Sequence, residues 1–344
     1  MIPQEKSAAV TRGLRQAFGV TEFEHISRIT RGRTSSLVFR IIVRGSPYLL
    51  KIITRAEDPT RHYTSMQAAA EAGVAPRVWY TNIEDQISIT DFVEAKPLPA
   101  SDALVRLPAV LRTLHKLPPF GRAPFNTTCT FLLHQGPNLA KGPTLEGFLQ
   151  KFQAANILPK AESEEFFARH AEVAAVYPHD DAEMVASHND LFKPDNILFD
   201  GQQVWLVDWE AAFLNDRYAD LAAVANQIVT NDEEERVYLQ KYFGAAPDPY
   251  QLARFHLMQQ LAHLFYTMAF LLPGSSGKPV DWSGTVPEYG DFHRRMWTGE
   301  VDLADEAAKI IYGRVHWERL LENVRQARYT QALKIVSDRH AAAR

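Results

Sequence analysis

Apolar and polar positions divide the chain into a strand-rich opening and a helix-rich remainder. Ala8, Leu14 and Phe18 recur near helical spacing and Gly19 is a stop, which predicts a short helix over residues 7–18. From His25 the pattern changes. Val38 to Val43 is a β-branched and aromatic run, Gly45-Ser46-Pro47 is turn chemistry, and Tyr48 to Ile53 is a second run, so this segment reads as an antiparallel hairpin. A helix over Thr60 to Ala72, closed by Gly73 and Pro76, comes next, and Val78 to Tyr80 and Ile87 to Phe92 predict two more strands. A small antiparallel sheet with one helix is an α+β unit by the layer rules. Ala95-Lys96-Pro97-Leu98-Pro99 is the linker, and Ser101 and Asp102 are the expected N-caps of a helix running to Lys116. Pro118 to Pro143 reads as irregular, Leu145 to Val176 as two helices and Val185 to Asp208 as strand and turn. After that the pattern is helical apart from a Gly/Pro-rich loop from Pro273 to Tyr289. The expected division is residues 1–94 and residues 95–344.

Composition narrows the function classes. The 344 residues carry 37 Lys plus Arg against 41 Asp plus Glu, a formal charge of −4, which argues against a nucleic-acid binder held by a basic surface. Cys129 is the single cysteine; it excludes an internal disulfide framework and a multi-cysteine zinc site, and nothing near it favours a reactive thiolate. The segment Met1 to Val10 lacks an apolar signal core, and the longest oily run, Leu257 to Leu272, is broken by Gln259, Gln260 and His263. The expectation is a cytoplasmic protein in a reducing compartment, with no membrane and no nucleic-acid partner.

The strongest chemical signal is Ser187-His188-Asn189-Asp190-Leu191-Phe192-Lys193-Pro194-Asp195-Asn196-Ile197-Leu198-Phe199, followed by Val204-Trp205-Leu206-Val207-Asp208-Trp209-Glu210. Phosphoryl transfer from ATP needs a carboxylate facing the acceptor hydroxyl, and Mg²⁺ held by a carboxylate and a neutral oxygen. Asp190 on a loop suits the first task; Asn196 and Asp208 suit the second. A hairpin of Ile197 to Phe199 with Val204 to Val207, turned at Gly201, would return Asp208 to the Asn196 end.

Here the chain resembles the choline kinase and aminoglycoside phosphotransferase superfamily, which shares the protein-kinase fold, over about His25 to Leu272. Within it, His188-Asn189-Asp190, then Asp208-Trp209-Glu210, Asn215-Asp216 and Asp220-Leu221-Ala222, are similar to the order in bacterial choline/ethanolamine kinases. The resemblance implies a two-lobe protein-kinase-like fold in which residues 1–94 cover the nucleotide and 95–344 form the helical lobe. It makes Asp190 the catalytic base and Asn196 and Asp208 the Mg²⁺ ligands. Glu210 is assigned to a second metal or its waters, and His188 and Asp220 to bracing the catalytic loop. Gly32, Thr34 and Ser35 fall where the family has its phosphate-covering turn, Lys51 where a strand lysine meets the phosphates, and Asp91 to Val93 where the hinge holds adenine. ATP and Mg²⁺ are the implied cofactors and a small-molecule alcohol the implied partner. Choline or ethanolamine comes first; an aminoglycoside or another small alcohol, or a nucleotide-binding pseudokinase that regulates a partner, are the alternatives. Glu210 and Asp216 are expected near the acceptor.

Three departures from the family pattern stand out. Asp190 and Asn196 are separated by six positions where the family has five, which makes Asp195 the alternative ligand. The helix glutamate that pairs with the strand lysine has no clear counterpart, with His62 near its position and Glu71 late in the helix. No Trp occurs in Gln259 to Tyr266, where choline kinases place tryptophans; Phe265 and Tyr266 are the aromatic residues there. Among the rest, His115 reads as packing under the hinge, and His256 and His263 as polar core or pocket lining. Asp232 to Glu235 reads as a solvated helix N-terminus, and Trp282, Trp297 and Trp317 as core or substrate cover.

Overall fold

The computed structural model describes residues 2–29, 36–54, 58–121, 145–178, 184–192, 194–276 and 278–342. Strands β1 (His25–Ile29), β2 (Leu37–Val43), β3 (Ser46–Ile52), β4 (Val78–Asn82) and β5 (Ile87–Asp91) form one antiparallel sheet in the order β1-β2-β3-β5-β4. Strand alternation sends Phe39, Ile41 and Val43 of β2 and Leu50 and Ile52 of β3 to one face. There they meet Ala9, Val10 and Leu14 of helix α1 (Gln4–Phe18) in a small apolar core. The same alternation turns Lys51, between Leu50 and Ile52, to the opposite face.

The larger core is helical. Helices α2 (Thr60–Glu71), α3 (Ala100–Leu114), α4 (Leu145–Ala155), α5 (Lys160–Val176), α6 (Arg217–Ile228) and α7 (Asp232–Phe243) are followed by α8 (Pro249–Gly274), α9 (Tyr289–Trp297), α10 (Glu306–Val324) and α11 (Ala327–Ala342). Helix α8 is apolar on nearly every side, as a helix buried all round must be. Its start is fixed by a capping box in which Asp248 and Gln251 exchange side-chain and backbone bonds. Gly313 lets α10 close on α8, since a Cβ there would lie 2.7 Å from Leu271 Cγ and 3.1 Å from the Thr267 carbonyl.

The two cores do not divide at residue 94. Tyr63, Met66 and Ala69 of α2, with Val74 and Ala75, belong to the large core, against which Val78 of β4 also packs. Leu206 N–H donates to Val74 O at 2.8 Å, and Lys96 N–H to Phe199 O at 2.6 Å, so the connections to β4 and from β5 are both stitched to the helical body. Helix α3 begins at Ala100 behind Pro99, with no side-chain cap, so the expected caps Ser101 and Asp102 lie inside its first turn. Pro99, with φ already set by its ring, starts the helix instead. Among the described residues no helix is long and apolar enough to cross a membrane.

Candidate active site

The short strands β7 (Ile197–Phe199) and β8 (Val204–Leu206) pair as the expected hairpin, Ile197 opposite Leu206. The ladder continues one step further, with Val207 N–H donating to Asn196 O at 3.0 Å. This brings Asn196 and Asp208 side by side, although twelve positions separate them. Asp208 takes a left-handed conformation, φ 68°, and opens a 3₁₀ turn, Trp209–Ala211. A β-carbon residue held at positive φ is strained, and such strain concentrates where function over-determines the backbone.

Asp190 follows strand β6 (Met184–Ser187), which pairs with β9 (Phe213–Asp216). A single 3₁₀ turn, Pro194–Asn196, precedes β7; Asn196 is buried and Asp195 is exposed. Asn196 Nδ2 donates to the Asp190 carbonyl at 2.6 Å and to its Oδ2 at 2.8 Å. Asn196, not Asp195, is therefore joined to Asp190, and with Nδ2 committed its Oδ1 is the neutral oxygen left to coordinate.

The loop is held from beneath by Asp220, on the first turns of α6. Its carboxylate accepts His188 N–H and Asn189 N–H, both at 2.7 Å, and faces His115 Nε2 at 3.2 Å. Burial alone would raise this carboxyl; His115, His188 and the loop N–H groups outweigh it, and Asp220 lies below the usual carboxylate range. His115 also meets the Tyr242 hydroxyl at 2.7 Å, so it is a buried hydrogen-bonded group rather than hinge packing. Asp190 N–H donates to His188 Nδ1 at 3.3 Å, which leaves the His188 proton on Nε2, donated to Val207 O at 2.9 Å. His188 thus ties the Asp190 loop to Val207, between β8 and Asp208.

Lys51 crosses from the sheet to this turn. Its Nζ lies 2.9 Å from Asp208 Oδ1 and 2.8 Å from Glu210 Oε1. Burial opposes its charge, but the two carboxylates prevail and hold its pKa above the ordinary value. Nothing local signals this pairing: the acids that meet the strand lysine are Asp208 and, two residues on, Glu210, neither of them on α2. Helix α2 contributes His62, buried and kept neutral, its pKa pushed down to about 3 by burial and by Lys51. Glu71 faces outward and accepts Gln67 Nε2 at 2.9 Å.

Other expected site residues lie elsewhere. Asp216 is interior: its oxygens accept Tyr218 N–H at 2.8 Å, the Tyr177 hydroxyl at 3.2 Å and Arg254 Nη2 at 2.6 Å, so it caps α6 and neutralises a buried arginine. Asp91 accepts Trp79 Nε1 at 2.6 Å and gives its N–H to Arg77 O at 2.9 Å, while Val93 is half-buried. Gly32, Thr34, Ser35 and Cys129 lie outside the described residues. Glu235 is not solvated as expected; it is buried against Arg328, while Asp232 and Glu233 stay exposed. Trp317 is core, Trp297 Nε1 donates to Leu98 O at 3.1 Å, and Trp282 lies under the Arg314 guanidinium.

This geometry has relatives among solved structures. A choline/ethanolamine kinase family protein from Mesorhizobium loti matches with a TM-score of 0.64 at 18% identity, covering 96% of this chain and 99% of that one. A choline kinase from Cryptosporidium parvum matches at 0.61 and 12% identity, covering 93% and 95%. A spectinomycin phosphotransferase, solved with ADP and spectinomycin, matches at 0.51 and 12%, covering 90% and 98%. At these identities the likeness establishes the fold, a two-lobe kinase-like architecture. No curated protein matches the sequence. A family model described as "Phosphotransferase enzyme family" matches residues 25–255, more than half of the sequence, and by that match the chain belongs to the phosphotransferase enzyme family.

Proposed function

We propose that this chain moves the γ-phosphoryl group of ATP, with Mg²⁺, to a hydroxyl of a small molecule, an amino alcohol of the choline or ethanolamine kind first. The observation that carries the reading is the Asn196 junction. One amide side chain grips Asp190 while its backbone carbonyl holds Val207, so a candidate base and a candidate metal carboxylate share one frame. The donor set suits Mg²⁺, which takes one or two protein oxygens and fills its shell from phosphates and water. Asp208 with Asn196 Oδ1 would hold it, and the bound ion would neutralise charge on the phosphate oxygens.

The chain's own groups do the rest. Asp190 accepts the acceptor's hydroxyl proton as the hydroxyl oxygen bonds to phosphorus and the bond to the departing ADP oxygen breaks. Lys51, kept charged by its surroundings, supplies a fixed positive charge for the phosphates. At the hinge Asp91 N–H is already engaged, so Val93 is the residue we assign to adenine. The named choline and ethanolamine kinases among the structural relatives favour the amino-alcohol acceptor, and the residue type that suits a cation occurs two positions beyond Asp190 in Phe192, which packs on Tyr266 at 5.3 Å.

The test is ADP release with Mg·ATP against amino alcohols, sugars and aminoglycosides. Turnover with an amino alcohol is expected, and Asp190→Ala should lower kcat by at least about 10³-fold, within the roughly 10²–10⁴-fold usual for a positioned base. Turnover with aminoglycosides alone would move the acceptor; nucleotide binding without any turnover would mean a pseudokinase.

A further inference from the structure

The Trp209–Ala211 turn and the residue after it present three successive carbonyls, at residues 210, 211 and 212, and all three are captured by side chains from other elements. Arg61 Nη2 donates to Glu210 O at 3.0 Å and Arg61 Nη1 donates to Ala212 O. Asn189 Nδ2 donates to Ala211 O at 3.1 Å and to Phe213 O at 3.3 Å. The two captors come from opposite directions, Arg61 from the start of α2 and Asn189 from the catalytic loop. Each is itself fixed. Asn189 sits at φ 66° with its N–H on Asp220 and its Oδ1 accepting Asn215 Nδ2 at 2.6 Å. Arg61 is anchored because the next turns of α2 bury Tyr63, Met66 and Ala69 in the large core.

We propose that Arg61 and Asn189 form a two-sided clamp on this turn, and that Arg61 is the positioning residue through which α2 aims the Asp208 and Glu210 carboxylates. The proposal rests on the phosphotransferase reading for its functional consequence, but the clamp itself does not depend on it. The guanidinium fork spans two carbonyls at once, which a single ammonium cannot do with the same geometry. It fixes the backbone of Glu210, whose carboxylate in turn holds Lys51, so α2 acts on the lysine through the turn. With the fork gone, the positive-φ step at Asp208 can relax, and the carboxylate that meets Lys51, and that would hold the metal, loses its aim.

The variants are Arg61→Ala and Arg61→Lys. Three readouts apply: hydrogen exchange over residues 207–213 in the nucleotide-free protein, Mg²⁺ dependence of binding a fluorescent ATP analogue, and steady-state kinetics. Arg61→Ala is expected to keep a cooperative thermal unfolding transition and to speed exchange over 207–213 by at least about 10-fold. It should raise the Mg²⁺ concentration for half-maximal nucleotide binding about 10–100-fold, the usual cost of losing a group that orients a metal ligand. The acceptor KM should stay unchanged, and Arg61→Lys should recover part of the Mg²⁺ dependence. Unchanged exchange overturns the clamp. Faster exchange with unchanged Mg²⁺ dependence overturns the positioning role and leaves a fold contact. If the wild-type protein binds no Mg·nucleotide, the phosphotransferase reading has failed, and the exchange result alone decides the clamp.

Discussion

Two sets of buried histidines make opposite use of the same side chain. His115 and His188 surround Asp220, and each has a defined donor and acceptor: Tyr242 and Asp220 for one, the Asp190 N–H and Val207 O for the other. His256, His263, His293 and His316, on α8, α9 and α10, have no carboxylate bonded to them among the described residues. His263 and His316 share one bond, Nδ1 to Nδ1 at 2.8 Å, and the rings pack among Tyr266, Tyr289 and Tyr312, with Tyr312 4.4 Å from His316. Burial pushes all four down, to about 3 for His256 and about 4 for His293, aided by Arg319 beside His263 and Arg328 beside His256; the Tyr289 carbonyl bonded to His293, and then Glu288, act the other way on His293. The first set organises a loop because an acid gives it direction. The second is neutral aromatic filling, and its cost appears only when protons are plentiful.

Removing the acid should have the largest effect. Asp220→Ala leaves two loop N–H groups and His115 facing an apolar gap, and is expected to destabilise the fold by about 3–5 kcal/mol in urea unfolding and to abolish turnover. A loss under about 1 kcal/mol would erase the distinction between the two sets.

The acid response comes next. A group whose folded pKa lies below its unfolded value of 6.5 adds full stability above 6.5 and loses it as pH falls toward the folded value, because only the unfolded chain takes the proton. Each such histidine steepens the loss by about 1.4 kcal/mol per pH unit. The double variant His263→Leu/His316→Leu should therefore flatten the stability profile, gaining about 3 kcal/mol on wild type between pH 7.5 and 5.5. A profile parallel to wild type would show that these rings already exchange protons when folded. Tyr289→Phe gives the smallest change, since it removes only the 2.7 Å bond from the hydroxyl to Asn226 O while the ring keeps its place. About 1 kcal/mol at any pH is expected from thermal unfolding.

The sequence is legible where the chemistry is local. The β7–β8 hairpin, Asn196 and Asp208 lie within one short stretch, and turn residues with alternating apolar positions suffice to bring their ends together. Lys51 is legible as an inward lysine because Leu50 and Ile52 fix its face. Its partner is not, since Glu210 reaches it only through a 3₁₀ turn whose backbone is steered by Arg61, far away in sequence. Asp216 shows the converse: an acid in the right order along the chain, turned inward because Arg254 and Tyr177 await it. His115 and Asp220 meet across 105 positions with no pattern to announce it. The caps at Ser101 and Asp102 fail for a simpler reason: Pro99 starts the helix first.

The placement of α2 bears on whether the molecule can be cut. Severing the chain near Glu94 would give an amino-terminal piece with Tyr63, Met66 and Ala69 bared to water, and a carboxy-terminal piece with a matching apolar trough. Neither fragment closes its own surface, so the pieces should fold only together, as halves that rebuild the shared apolar core when they meet.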